Sequence, residues 1–229
     1  MGVAYNSSIV TNGLVLCLDA GNRKSYPGSG TTWTDLRGTN HLTLSDVSYV
    51  SGTISYFDFN GTTSYAYNFS ANSVLNTGNV ATVMIWIYPA TTQPDVNYSG
   101  MFTLGTKDCV LGTGNGKSLL FSMQSNRTLT MAKWCDDSYS TIAPTANTWS
   151  MVSLVKNGAS TRFGINASTF ENTADTGIQN FAGTSLTVGC TDNPGRYYQG
   201  RIGTIYLFNR ALSDAEIQQN FNATKSRYF

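Results

Sequence analysis

Charge is scarce in these 229 residues: Asp, Glu, Lys and Arg together make up 12% and the formal net charge is +1. So weakly charged a surface lacks the basic field that attracts nucleic acid or anionic lipid, and neither is expected as a partner. There is one histidine, His41, and four widely spaced cysteines, Cys17, Cys109, Cys135 and Cys190. Without a CxxC pair or more histidines, a zinc site is not expected. The cysteines read as small buried hydrophobes. If a disulfide forms, Cys109 with Cys135 is the pair to test. No apolar run approaches the ~18 residues of a membrane-spanning helix. Met1 to Val10 lacks the basic start and apolar core of a signal peptide. Glutamate occurs only twice, as Glu171 and Glu216.

What the chain has in quantity is Thr, Ser, Asn, Gly and Tyr, the residues of sheets and turns. Leu14 to Leu18, Leu42 to Val50, Thr53 to Phe59, Ser64 to Phe69 and the apolar Val80 to Tyr88 read as strands. Met101 to Leu104, Ser118 to Met123 and Thr128 to Trp134 read as a meander. Thr148 to Asn157 and Thr161 to Asn166 flank the hairpin signal Asn157-Gly158. Leu186 to Cys190 adds another strand, while TFENTAD around Glu171 reads as loop. Turns every ~8–12 residues predict an all-β sandwich, with no composition shift to divide residues 1–229 into two domains.

The most specific stretch is Tyr197 to Phe221. Ile202, Thr204, Tyr206 and Phe208 alternate with Gly203, Ile205 and Leu207, which predicts a central strand apolar on both faces. Ser213 followed by Glu216 is a capping box, so one short helix closes the chain. Ile217 and Phe221, four apart, share the face that packs onto the strands.

Four blocks carry a family resemblance: GLVLCLDAGN (13–22), FDFNGTTSY (57–65), TWSMVSLVKNGASTRFGI (148–165) and Tyr198 to Ala223. Together they resemble the concanavalin A-like lectin/glucanase superfamily in its laminin-G-like jelly-roll form. The resemblance implies a two-sheet antiparallel jelly roll with one short C-terminal helix and a core at about residues 9–223. The opening, IVTNGLVLCLDAGNRKSYPGSGTTWTDLRG, is further similar to modules of bacteriophage structural proteins. It implies a non-enzymatic virion component: a capsid decoration, head-fibre or tail-associated protein. Such a protein would dock onto other virion proteins and form a homo-oligomer.

The family's glucanases carry an E-x-D-x-x-E strand, absent here, so no catalytic residue is expected. His41 reads as solvent-exposed and Glu216 as engaged in the cap. The alternative is a lectin-like adhesin contacting host surface glycans. Trp134, Asp136, Asp137 and Tyr139 supply stacking and hydroxyl-binding groups in one segment. Asp192, Asn193 and Tyr197 supply them in another. Ordinary sandwich packing beside polar turns also accounts for Trp134 and Tyr197 and is the simpler reading, with glycan contact kept as the alternative. The family often holds calcium at a sheet rim, with Asp58, Asn60 and Asp108 as candidate oxygen ligands. Asp58 otherwise reads as a turn-capping carboxylate.

Overall fold

Alternation becomes strand almost throughout. The computed structural model describes residues 8–71, 78–105, 109–110, 115–116, 118–132, 137–175, 184–191 and 195–229. The chain begins with β1 (Leu14–Asp19), β2 (Thr32–Trp33), β3 (Leu42–Ser45), β4 (Ser48–Val50), β5 (Tyr56–Asn60) and β6 (Tyr65–Asn68). It continues through β7 (Val80–Pro89), β8 (Ser99–Leu104), the short β9 (Cys109–Val110) and β10 (Asn115–Gly116), β11 (Leu119–Met123), β12 (Leu129–Ala132) and β13 (Ser138–Tyr139). It closes with β14 (Ser150–Asn157), β15 (Ser160–Ile165), β16 (Thr169–Ala174), β17 (Leu186–Val188), β18 (Gln199–Phe208) and α1 (Asp214–Thr224).

Two antiparallel sheets form the sandwich expected from the sequence. Sheet A runs β16-β15-β14-β7-β18-β5-β4, with β1 paired to the second half of β18. Sheet B runs β13-β12-β11-β8-β17-β6-β3-β2. Between them lies a core that includes Leu16, Trp33, Phe57, Phe59, Phe121 and Phe163. A second apolar cluster, with Met84, Trp86, Trp149, Tyr206, Phe208 and Ile217, occupies the other face of sheet A beneath α1. That is why β7 and β18 are apolar on both faces.

The helix forms as its sequence predicts. Ser213 Oγ accepts the Glu216 backbone N–H, and the Glu216 carboxylate accepts the Ser213 N–H at 2.9 Å. The same carboxylate takes a two-pronged grip from Arg210, at 2.9 and 2.6 Å. Trp86 locks the helix to the sheet. Its ring stacks on Tyr228 at 4.2 Å and Phe221 at 5.6 Å, and its Nε1 donates to Thr224 Oγ1 at 2.9 Å.

Three expectations change. First, Leu42 to Val50 is two strands in different sheets. Asp46 adopts a left-handed φ of 53° between them and breaks the run. Second, the TFENTAD segment is β16, an edge strand on β15. Glu171 there accepts the Thr141 N–H at 2.9 Å rather than sitting in a loop. Third, strict alternation in β18 fails. A register shift between Ile202 and Ile205 marks a β-bulge. Ile202, Ile205 and Leu207 all face the inter-sheet core, while Tyr206 and Phe208 face the helix. Upstream of the bulge, Arg201 therefore points outward from sheet A, with Asp58 opposite it on β5.

Cys17 and Cys190 are buried free thiols. Burial, reinforced by Asp19 and Asp35, pushes the Cys17 thiol up to about 12. The Cys109–Cys135 pairing lies outside the described residues. Lys156 and Asp175 form a fully buried ion pair at 2.7 Å.

Candidate functional site

On the outer face of sheet B, one cross-strand row is built of small residues. Tyr139 pairs with Thr130, Thr130 with Ser122, Ser122 with Gly100, and Gly100 bridges to Tyr197. Thr130 and Ser122 are fully buried. Tyrosines thus flank a floor of Thr, Ser and Gly.

At the β13 side, Tyr98 donates a hydrogen bond to Asp137 Oδ2 and shares another, at 2.6 Å, with the Tyr139 hydroxyl. The Tyr139 hydroxyl also lies 3.2 Å from Asp137 Oδ2, so its single proton goes either to that carboxylate or to Tyr98. Arg196 lays its guanidinium over the Tyr98 ring, 4.7 Å from the centroid, and its Nε lies 3.8 Å from Asp95. Asp95 in turn accepts the backbone N–H groups of Asn97 and Tyr98 and fixes the loop that carries Tyr98. Burial, then the bond to Asp137, raises the Tyr98 hydroxyl well above its ordinary value. Burial raises Tyr139 as well. Both hydroxyls stay protonated at neutral pH and can donate and accept.

At the β6 side, aromatic rings line up. Ala66 enters the core, so Tyr65 and Tyr67 leave by the outer face. Tyr197 lies 6.4 Å from Tyr65, Tyr65 5.4 Å from Tyr67, and Tyr67 stacks on Phe69 at 4.8 Å. Phe69 is 47% exposed and Tyr139 45% exposed. Arg196 and Tyr197 are consecutive, so one loop feeds both the polar cluster and the aromatic ladder.

Of the seven glycan-site residues expected from sequence, Asp137 and Tyr139 come together and Tyr197 joins the ladder. Trp134, Asp136, Asp192 and Asn193 lie outside the described residues. Sequence reasoning missed Tyr98, Arg196, Tyr65, Tyr67 and Phe69. The period-two pattern of Tyr65, Tyr67 and Phe69 was a readable signal, whereas Tyr98 reaches Asp137 only through the meander.

The calcium candidates separate. Asp108 lies outside the described residues. Asn60 Oδ1 accepts the N–H groups of Thr62, Thr63 and Ser64, so Asn60, not Asp58, caps that turn. Asp46 joins the turn through Asn60 Nδ2 at 3.2 Å and Thr63 Oγ1. Asp58 faces Arg201, a cation where calcium would need anionic oxygen; its carboxyl is raised by burial, an effect Arg201 opposes. Of the two described candidates, Asn60 is thus engaged in the turn and Asp58 stands opposite a cation. Among the described residues no three His, Cys, Asp or Glu side chains gather to hold a metal ion. His41 is exposed, and its Nδ1 accepts the Asp35 N–H at 3.1 Å.

No curated protein matches the sequence. Solved structures match the fold. One is a Trypanosoma rangeli sialidase in complex with sialic acid: 15% identity, TM-score 0.67, covering 96% of this chain and 34% of the sialidase. The chain therefore spans about a third of that protein. Domain 4 of an extracellular GH43 arabinanase from Geobacillus stearothermophilus, in complex with arabinotriose, matches at 15% identity and TM-score 0.64, over 92% of this chain and 98% of that domain. The botulinum neurotoxin serotype D/C binding domain matches at 15% identity and TM-score 0.63, over 92% of this chain and 52% of that one. A family model covers residues 60–218, the greater part of the chain, and by it the chain belongs to the concanavalin A-like lectin/glucanases superfamily.

Proposed function

We propose that the chain is a carbohydrate-binding module without catalysis of its own. The observation that carries this reading is the ladder Tyr197–Tyr65–Tyr67–Phe69 on the outer face of sheet B. Three half-buried tyrosines and the exposed Phe69 in a row offer apolar faces to the C–H faces of successive sugar units. The neighbouring Tyr98, Asp137, Tyr139 and Arg196 offer hydroxyl, carboxylate and guanidinium groups to the sugar hydroxyls. The sugar complexes of the sialidase and the arabinanase domain support the reading. Both glutamates are engaged in structural contacts, Glu216 in the helix cap and Glu171 on Thr141, which supports binding without hydrolysis.

The likeness of the opening residues to phage structural modules carries a second reading. In it the same aromatic surface docks onto other virion proteins. A glycan array followed by titration calorimetry separates the two. Under the first reading an oligosaccharide binds, and Tyr67→Ala and Phe69→Ala each weaken it about tenfold, the loss of one stacking contact of roughly 1.4 kcal/mol. Under the second no glycan binds and the protein co-purifies with particles. Release of reducing sugar by the pure protein would overturn the non-catalytic part of both.

A further inference from the structure

A cavity of about 460 Å³ opens on the outer face of sheet A, within the range of small-molecule sites. Asp58, Arg201, Ser48, Gln199, Tyr88 and Asn147 contribute to its wall. The register places Ser48 beside Asp58, Asp58 beside Arg201 and Arg201 beside Tyr88, one row across four strands.

Arg201 is held between two rings, 4.7 Å from the Tyr56 centroid and 4.5 Å from that of Tyr88. Two cation–π contacts fix the fork and leave its five N–H donors unused. Among the described residues Arg201 makes no side-chain hydrogen bond or ion pair, and neither does Asp58, although the two sit in register. One ring comes from β5, two residues before Asp58, and the other from β7, and between them they hold the guanidinium off the carboxylate. Nearby, Asn60, Asp46 and Ser64 are bonded to one another's turn and make a rigid wall.

We propose that this cavity is a second saccharide site, taking a neutral sugar whose hydroxyls bridge Arg201 and Asp58. The charge pattern selects that class. A phosphate or carboxylate would gain Arg201 but meet Asp58 and Asp46. A metal cation would gain Asp58 but meet Arg201. A hydroxyl accepts from the guanidinium and donates to the carboxylate at once, so adjacent hydroxyls satisfy both groups. Ser48 and Gln199 add further donors and acceptors at the rim. The site lies on the opposite sheet from the aromatic ladder and is argued independently of it.

Amide NMR of the whole protein tests it, with arabinotriose, cellotriose and lactose as neutral probes and inorganic phosphate and calcium chloride as ionic ones. A neutral sugar is expected to shift the amides of Ser48, Asp58, Gln199 and Arg201. Arg201→Lys and Asp58→Asn, each checked for folding by thermal denaturation, should weaken that response about tenfold. The response at Tyr65 to Phe69 is read separately, so failure of one site leaves the other standing. No shift at the cavity amides with any of the three sugars at millimolar concentration overturns the proposal. So does a response there to phosphate or calcium alone, or an undiminished response in both folded variants.

Discussion

Replacing Glu216 by Ala removes two contacts at once. The Ser213 N–H loses its acceptor and Arg210 loses its carboxylate partner. Half a capping box contributes roughly 0.5–1 kcal/mol and a partly exposed bidentate pair about as much, so about 1–2 kcal/mol in all. Titration gives a second route to the same figure. Arg210 first, then the Ser213 backbone, lower the Glu216 carboxyl from 4.5 to about 2. Taken whole, that shift is equivalent to about 3 kcal/mol. With the pair's side chains 27% and 30% exposed, solvent screening reduces it to about 1–2 kcal/mol. The sign follows from the depression. The folded value lies below the unfolded one, so the stabilisation is complete above about pH 5 and fades as pH falls toward about 2. Urea denaturation of the natural chain and Glu216→Ala should therefore differ by about 1–2 kcal/mol near pH 6, or roughly 3–6 °C in Tm. The gap should mostly close near about pH 2.5. Glu216→Gln, which can still reach the Ser213 N–H, should fall between them and show a smaller pH dependence. A gap below about 0.5 kcal/mol near pH 6, or one unchanged by acid, would refute the account.

Two further outcomes are expected. Gly189 has φ +83, and a Cβ there would collide with the Phe59 ring in the core. Gly189→Ala should cost about 3 kcal/mol, roughly 6–12 °C in Tm; an unchanged melting curve contradicts the packing. Cys17 is 7% exposed and its thiol is pushed up to about 12, so at about pH 8 iodoacetamide should leave it unmodified in the folded protein and label it in guanidinium. Rapid labelling of folded Cys17, located by peptide mapping, contradicts that burial.

What was legible in the sequence was local. The capping box needs only Ser213 and Glu216, three residues apart, and it formed as read. Val80 to Tyr88 announced itself because a strand covered on both faces cannot be polar on either. β16 escaped because an edge strand with sequence TFENTA is half-solvated and carries no apolar alternation. Asp46 escaped because a single left-handed residue leaves no period to detect. The candidate surfaces were legible in part. Tyr139 and Asp137 were found because they are neighbours in sequence. Tyr98, 39 residues from Asp137, was not, and Arg201 gained its meaning only when pairing set it between Tyr56 and Tyr88.

The bulge in β18 acts as a phase changer. Downstream, Ile205 and Leu207 keep the inward phase and Tyr206 and Phe208 the outward one. With perfect alternation that phase would carry Arg201 inward and Ile202 out. One surplus residue around Gly203–Thr204 reverses this, and a single strand can seal the core at one end and furnish a polar cavity at the other. Deleting Gly203 would remove the surplus residue and leave Ile202 inward and Arg201 outward on a regular strand, whereas deleting Gly203 and Thr204 together would drive the guanidinium between the sheets. In lineages sharing this strand, the cavity should therefore survive loss of the single surplus residue and disappear where two residues are lost, with the helix-covered half in phase in both cases.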